Sequence, residues 1–553
     1  MSAMNRGTQP ADLVFTGGSV MTMDPGRPRA EAVAVSGGRI AAVGTDAEVR
    51  PWVGPRTRSV DLAGRTLLPG FQDAHVHPAT SGLGLLLCTL HEVEPGLDAY
   101  IAAIDTYARA NPDRAWVVGD GWYMAAFPGG TPSRVDLDRV VPDRPAFLEN
   151  RDGHGAWVNS RALELAGITR DTPDPAHGRI ERDAAGEPSG TLHESAVDLV
   201  HDLIPQASLD DRVAGLRLAQ AYLHRLGITA WQEAWVTPEE EESYHALVER
   251  GGLTARVVAC LWWERGRGAE QIEELIERRR VGTMGRLRST TVKIMQDGVA
   301  ENFTAAMLHP YLDADGHPTD NPGLSFVEPE LLRQHVTRLD AEGFQIHFHT
   351  LGDRAVREAL DAIEGARKAN GPSDGRHHLA HLQMVDPADF ARFRELGATA
   401  NIQPFWACHD RQMDELTIPF LPPDRVALQY PFGSLQRAGA RLAGGSDWSV
   451  STPNVMAEVE VAITRASAGE PDIPPFLPHE SLTLGEALAA YTSGSAWVNH
   501  LDAETGSIEA GKLADLVVVD RDLFAPDAAR DIGKASVLMT LVEGQAVHDT
   551  PGF

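Results

Sequence analysis

Cysteine is scarce in this chain. Its 553 residues contain three, Cys88, Cys260 and Cys408, far apart and with no Cys-x-x-Cys pair. That argues against a disulfide framework and against a metal site built from thiolates. Positive charge is also short, with 49 Lys and Arg against 78 Asp and Glu and a formal net charge of −29. Nucleic acid and anionic membranes are poor partners for such a chain. Long apolar runs are missing as well. The longest near the start, Leu83 to Leu90, is far too short to span a bilayer. The opening MSAMNRGTQPADLV lacks the apolar centre of a signal peptide. These absences predict a soluble cytoplasmic protein with no membrane partner. What remains is a globular composition, 43% hydrophobic and 23% charged, in a chain that exceeds one ordinary domain but suits one barrel with attachments.

Short strand-like runs open and close the chain: Asp12 to Thr16, Ala32 to Val35 and Arg39 to Val43, then Leu516 to Val519 and Val537 to Val542. The two ends are therefore expected to pair into one small β-sandwich domain, from residues 1–69 and 491–553. From Ser208 onward helices and strands alternate. Ser208 with Asp211 starts a helix that runs to Gly227, and Thr237-Pro238, Glu328-Pro329 and Asp386-Pro387 each place Pro at a first helical position. Gly251, Gly343 and Gly397 close those helices. Apolar runs lie between them, at Ile228–Trp235, Arg256–Trp263, Thr291–Gly298, Phe344–Thr350, His378–Val385, Ala398–Phe405 and Arg441–Asp447. With an opening run at Leu67–His77 these suffice for an α/β fold of the closed (β/α)₈ TIM barrel type, over residues 70–490. Residues 79–207 are too long for a loop and predict an inserted subdomain over the barrel mouth.

The opening run reads Leu67-Leu68-Pro69-Gly70-Phe71-Gln72-Asp73-Ala74-His75-Val76-His77-Pro78. Residues two apart on a strand share a face, so His75 and His77 project together, as two imidazole ligands of one metal ion would. Other ligand types recur at later strand ends, where such barrels keep their sites. They are Lys293, His347 and His349, His378 and His381, and Asp447. Each has a plainer reading. Lys293 alone could be an ordinary lysine at the mouth, the histidines satisfied core residues, and Asp447 a cap for the turn that follows. Accumulation on one barrel face favours metal. Spacing does not choose His349 over His347, or His381 over His377 and His378.

Together these residues resemble the amidohydrolase superfamily of metal-dependent hydrolases, over nearly the whole chain. Gly506-Ser507-Ile508-Glu509-Ala510-Gly511-Lys512-Leu513-Ala514-Asp515-Leu516 looks like that superfamily's return to its β-sandwich. The blocks Arg151-Asp152-Gly153-His154-Gly155-Ala156-Trp157 and His349-Thr350-Leu351-Gly352-Asp353-Arg354 resemble its amidohydrolase family 3 branch, which includes N-substituted formamide deformylases. The resemblance implies that His75 and His77 bind a first metal, that a carbamylated Lys293 bridges two, and that His349 and His381 hold the second. It implies that Asp447 contacts the first. One position departs: Ala380 precedes His381, where the family often has Glu.

The implied cofactors are two divalent ions, zinc by expectation, with carbamylated Lys293 as the anionic bridge. An uncarbamylated ammonium between two cations would be repelled. The expected reaction is hydrolysis of a carbon–nitrogen bond in an amide, N-substituted formamide, lactam or related small molecule. Asp447 would move the proton. His154, in the insertion, is a candidate contact to substrate and is counted with Asp447 and Lys293 as catalytic. A mononuclear amine deaminase is the second reading, set back because Lys293 is present and His347–Asp353 contains no Glu. A catalytically dead metal-binding protein is the third, set back by the full set of ligand types. Trp122-Tyr123, Trp235, Trp262, Trp263, Phe405, Trp406 and Trp448 predict an aromatic-walled mouth and an apolar or aryl-bearing substrate. A homodimer is a further expectation.

Overall fold

The computed structural model describes residues 10–91, 93–468, 472–525 and 531–551. Most of the opening stretch judged for a signal peptide, residues 1–9, lies outside them.

Two sheets form at the joined ends of the chain. One holds Leu13–Thr16, Ala32–Ser36, Arg39–Gly44 and Arg58–Asp61. The other has six strands and mixes the termini, with Thr66–Pro69 antiparallel to Leu516–Val519. The four residues of Leu516–Val519 are all buried for a geometric reason. Leu516 and Val518 face the sandwich core with Phe15, Val33 and Leu67, while Val517 and Val519 face the barrel core with Leu68 and Phe71. A strand covered on both faces reads as a continuous apolar run, which Leu-Val-Val-Val is.

The expected single strand Leu67–His77 is in fact two. Thr66–Pro69 belongs to the terminal sheet and Phe71–Val76 to the barrel. The break is Gly70, whose N–H donates to the Asp515 carbonyl at 2.8 Å. A Cβ there would lie 2.5 Å from the Thr229 side chain, so only glycine lets the chain cross between sheets at this point.

The barrel strands are Phe71–Val76, Ile228–Val236, Arg256–Trp262, Leu287–Met295, Gln345–Thr350, His378–His381, Thr399–Ile402 and Arg441–Gly444. They form an 8-stranded parallel sheet in chain order. The first and last strands meet through the loop after the eighth, where Asp447 N–H donates to the His75 carbonyl at 2.8 Å and His77 N–H to the Trp448 carbonyl at 3.0 Å. Capping boxes at Ser208 and Thr237 start the helices Leu209–Arg225 and Pro238–Glu249. After Asp386 a tight turn, Pro387–Asp389, comes first, and the α-helix starts only at Phe390. The helical run from Leu484 to Val498 crosses residue 490 without a break and packs beside the eighth strand, with Tyr491 against Gly444.

The insertion folds as its own 6-stranded sheet, built from Cys88–Thr89, Val117–Trp122, Ala146–Asn150, Gly155–Val158, Gly178–Arg182 and Pro188–Glu194. Its core is aromatic: Trp122 and Trp157 are fully buried and stack edge-on with Phe127. Among the described residues no helix is long and apolar enough to cross a membrane.

Candidate metal centre

His75 and His77 end the first barrel strand, and Asp447 reaches them from the loop after the eighth. His75 Nε2 lies 3.2 Å and His77 Nε2 3.0 Å from the same oxygen, Asp447 Oδ1. The three form a group that could hold an ion. Asp447 has a positive φ of 53°, and the loop that holds it there is fixed by Asp73. Asp73 Oδ1 accepts from Ser446 N–H at 3.1 Å and from His75 N–H at 3.0 Å, and Ser446 Oγ donates to Asp73 Oδ2 at 2.5 Å. Burial pushes the Asp73 carboxyl up to about 7, against these bonds. Burial would raise Asp447 too, but His75 and His77 more than offset it and hold Asp447 well below the ordinary carboxylate range. The carboxylate is ionised and faces inward.

His381 closes one side of the group. Its ring centre lies 4.7 Å from that of His75 and 4.6 Å from that of His349. Its Nδ1 is 4.0 Å from Asp447 Oδ2, and both its ring nitrogens are buried without a hydrogen bond. An orphaned imidazole is costly in a protein interior unless something else takes its lone pair. His349 meets His381 edge-on and has its Nδ1 near Asp297 Oδ1 at 3.3 Å. Asp297 is held by backbone N–H groups of Ala306, Leu351 and Gly352. Lys293 is buried on the fourth strand, and burial lowers its amine to about 8 while Asp447 opposes the shift.

A divalent ion fits this donor set. Nitrogen and oxygen ligands about 2.0–2.2 Å from one ion stand roughly 3 Å from each other, which is the spacing of His75 and His77 to Asp447. The orphaned nitrogens of His381 point to the same conclusion.

The alternatives that spacing left open separate by depth. His347 lies one layer below His349, with Nε2 2.7 Å from His75 Nδ1. His378 shares that layer, its ring 4.0 Å from that of His347 and its Nδ1 3.1 Å from Asn401 Nδ2. His377 faces away from the barrel interior, toward Asp340 at 3.1 Å.

His154 reaches the site from the insertion. Its ring centre is 6.1 Å from that of His349, and its Nδ1 lies 3.2 Å from Glu194. Burial opposes charge on His154, but Glu194 and Asp152 raise it to about 9. Glu194 also accepts from Asn302 and Thr304, which follow the fourth strand. Sequence reasoning missed Glu194, since nothing near it in the chain marks it. Asp73 and Asp297 carried a weak signal, as carboxylates beside ligand-type residues on short motifs.

The aromatic residues divide in two. Trp122, Trp263 and Trp448 are core: Trp263 packs on His335 and Trp448 on Tyr222. At the barrel mouth, Trp406 stacks on His381 at 5.2 Å, and Trp235 stacks on Trp262 at 4.7 Å. Trp262 is the ladder partner of Lys293, which places this pair beside the site.

The amidohydrolase family matches residues 58–548. This chain belongs to that family. It is a metal-dependent hydrolase of carbon–nitrogen bonds that acts on small substrates. The protein LONG AFTER FAR-RED 3 of Arabidopsis thaliana is 30% identical over 551 residues, covering 97% of this chain and 92% of its own. An N-substituted formamide deformylase of Arthrobacter pascens is 30% identical over 557 residues, covering 99% of this chain and 100% of its own. A solved structure of an uncharacterized metal-dependent hydrolase from Pyrococcus furiosus is similar in fold, with a TM-score of 0.70 at 23% identity, over 92% of this chain and 99% of that one. The fold inferred above from strand pattern is thus shared with that solved structure.

Proposed function

We propose that the chain hydrolyses the carbon–nitrogen bond of a small amide, with N-substituted formamides the first class to test. The observation that carries this reading is the meeting of His75 and His77 on Asp447, with the orphaned ring of His381 beside them. The full-length likeness to a formamide deformylase supports the substrate class.

In this reading His75, His77 and Asp447 would hold one divalent ion and His349 and His381 a second, with Lys293, as its carbamate, adding an anionic ligand. Zinc suits the nitrogen-rich set. When bound, the ions supply an activated water and polarise the substrate carbonyl. The protein's own groups do the rest. Asp447 takes the proton of the attacking water and passes it to the leaving nitrogen as the carbon–nitrogen bond breaks. Lys293 sits in a dry setting that lowers its amine to about 8, so more of it than of an ordinary lysine is in the uncharged form that adds CO₂ near neutral pH. His154, kept as an imidazolium by Glu194, offers a positive donor to the substrate from the insertion. Trp235 and Trp262 give an apolar substituent a flat surface, and Trp235 is 43% exposed and free to do so.

Residues 79–207 then form one wall of the pocket, and the separate sheets support a division into barrel, terminal sandwich and insertion. A homodimer and a cytoplasmic location stay part of the proposal.

The test is metal analysis joined to a turnover screen over N-formyl amines, N-acyl aryl amines, lactams and hydantoins. Release of formate from an N-formyl amine by the metal-loaded protein is the expected result. Metal binding with no turnover on any of the four classes would overturn it.

A further inference from the structure

Below the ligand layer the barrel holds a second tier of polar side chains that the proposed chemistry does not use. Its centre is His347, fully buried on the fifth strand. His347 Nε2 lies 2.7 Å from His75 Nδ1, a full-strength hydrogen bond. Its other nitrogen, Nδ1, faces Cys260 Sγ at 3.4 Å. Among the described residues these are the only hydrogen-bond partners of the His347 ring.

A histidine bound to metal through Nε2 must carry its proton on Nδ1, and whatever accepts that proton sets the ring's tautomer and angle. We propose that His347 is the positioning residue of His75: its Nε2 accepts the His75 Nδ1 proton, and so turns His75 Nε2 toward the metal. The chain of donors is consistent to its end. With Nε2 accepting, neutral His347 keeps its proton on Nδ1, and the facing atom is a thiol sulfur, a weak acceptor.

The same site uses a different partner for its other strand-end histidine. His349 has the Asp297 carboxylate at 3.3 Å, and Asp297 is satisfied by three backbone N–H groups in the loops above the barrel. The group facing His75 Nδ1 is instead an imidazole, on a strand whose backbone N–H groups are spent on the ladder. A carboxylate in place of the His347 ring would bring a charge into a fully buried position, costly unless donors meet it. A neutral imidazole accepts the proton without that cost. The inference rests on the reading of His75 as a metal ligand.

The test is zinc affinity by chelator competition, on the wild type and on His347→Leu, His347→Gln and His75→Ala. His347→Leu cannot accept a proton and is expected to lose affinity about 10–100-fold, the usual effect of removing such a partner. His347→Gln can accept through Oε1 and is expected to stay within a few-fold of wild type. Cobalt-loaded His347→Leu should also show a shifted visible spectrum, which a merely structural role would not produce. Wild-type affinity in a folded His347→Leu would overturn the proposal, and so would a loss in His347→Gln equal to that in His347→Leu. Should His347→Leu fail to fold, histidine ¹⁵N–¹H correlation of zinc-loaded wild type decides. A His75 Nδ1 proton protected from exchange supports the proposal, and one in fast exchange with water overturns it. His75→Ala separates the two readings: if it binds zinc as tightly as wild type, the ligand assignment itself fails.

Discussion

His154 Nδ1 lies 3.2 Å from the Glu194 carboxylate while its ring faces that of His349 at 6.1 Å, so the insertion brings an ion pair of its own to the candidate metal centre. Both partners come from the insertion's sheet, and His154 and Glu194 are tied again through the backbone, Glu194 N–H donating to the His154 carbonyl at 2.9 Å. The pair is therefore built within the insertion itself.

That contact predicts a pH dependence. The folded protein raises His154 from its ordinary 6.5 to about 9, so the stability it contributes is complete below pH 6.5 and is lost as pH rises through about 9. Wild type should melt above Glu194→Gln at pH 6, and the gap should close by pH 10. His154→Gln should reduce turnover by about tenfold or more while leaving metal content intact, as loss of a charge-assisted hydrogen bond to substrate would. Equal melting of wild type and Glu194→Gln across that range would show that the pair carries no charge.

Much of this arrangement was legible in the sequence. The His75 and His77 pair, the strand-end positions of Lys293, His349, His381 and Asp447, and the alternation of helix with strand all follow from side-chain periods of 2 and 3.6. Depth was not legible. His347 and His349 obey the same period, and only the height of each along the barrel axis separates the ligand layer from the tier below. The break at Gly70 was hidden because both halves of Leu67–His77 are apolar, one against the sandwich and one inside the barrel. Trp263 and Trp448 looked like mouth residues because strand ends border both the mouth and the outer helices.

Lys293 should carry a carbamate when metal is bound. Its amine, lowered to about 8 by burial, supplies the uncharged nucleophile that CO₂ needs. Labelled bicarbonate during metal loading should give one carbamate carbon signal by ¹³C NMR, absent in Lys293→Ala. That variant should lose activity, and short carboxylic acids should restore part of it by occupying the bridge. A fully active Lys293→Ala would remove the bridge from the mechanism.

The barrel and the terminal sheet are locked by Arg256, which is 6% exposed and pairs with Asp515 and, at 2.6 Å, with Glu543. Asp515 is buried and has its carbonyl bonded to Gly70 N–H, at the point where the chain passes between sheets. Arg256→Ala leaves that carboxylate without its cation and should cost about 3–5 kcal/mol. Denaturant unfolding measures this directly. Arg256→Ala with Asp515→Asn should recover part of the loss, because the second change removes the stranded charge. A cost below about 1 kcal/mol, the range of a surface pair, would contradict the buried geometry.

Asp447→Asn should harm turnover far more than binding. Among the candidate ligands Asp447 alone can both touch the attacking water and accept its proton. On the proposed reading the imidazoles would be committed by their nitrogens to metal, and a Lys293 carbamate to its bridge. Burial favours a protonated Asp447, yet contact with His75 and His77 keeps it ionised and ready to accept. Asparagine preserves size and one ligating oxygen but cannot take a proton near neutral pH. A general acid–base is worth about 10²–10⁴-fold, so kcat should fall at least about a hundredfold, with KM and metal content little changed. Loss of metal along with activity would instead mark Asp447 as a ligand above all. An Asp447→Asn enzyme with both metals and near-normal kcat would mean that another group moves the proton, and His154, the nearest ionisable donor from the insertion, would be the residue to replace next.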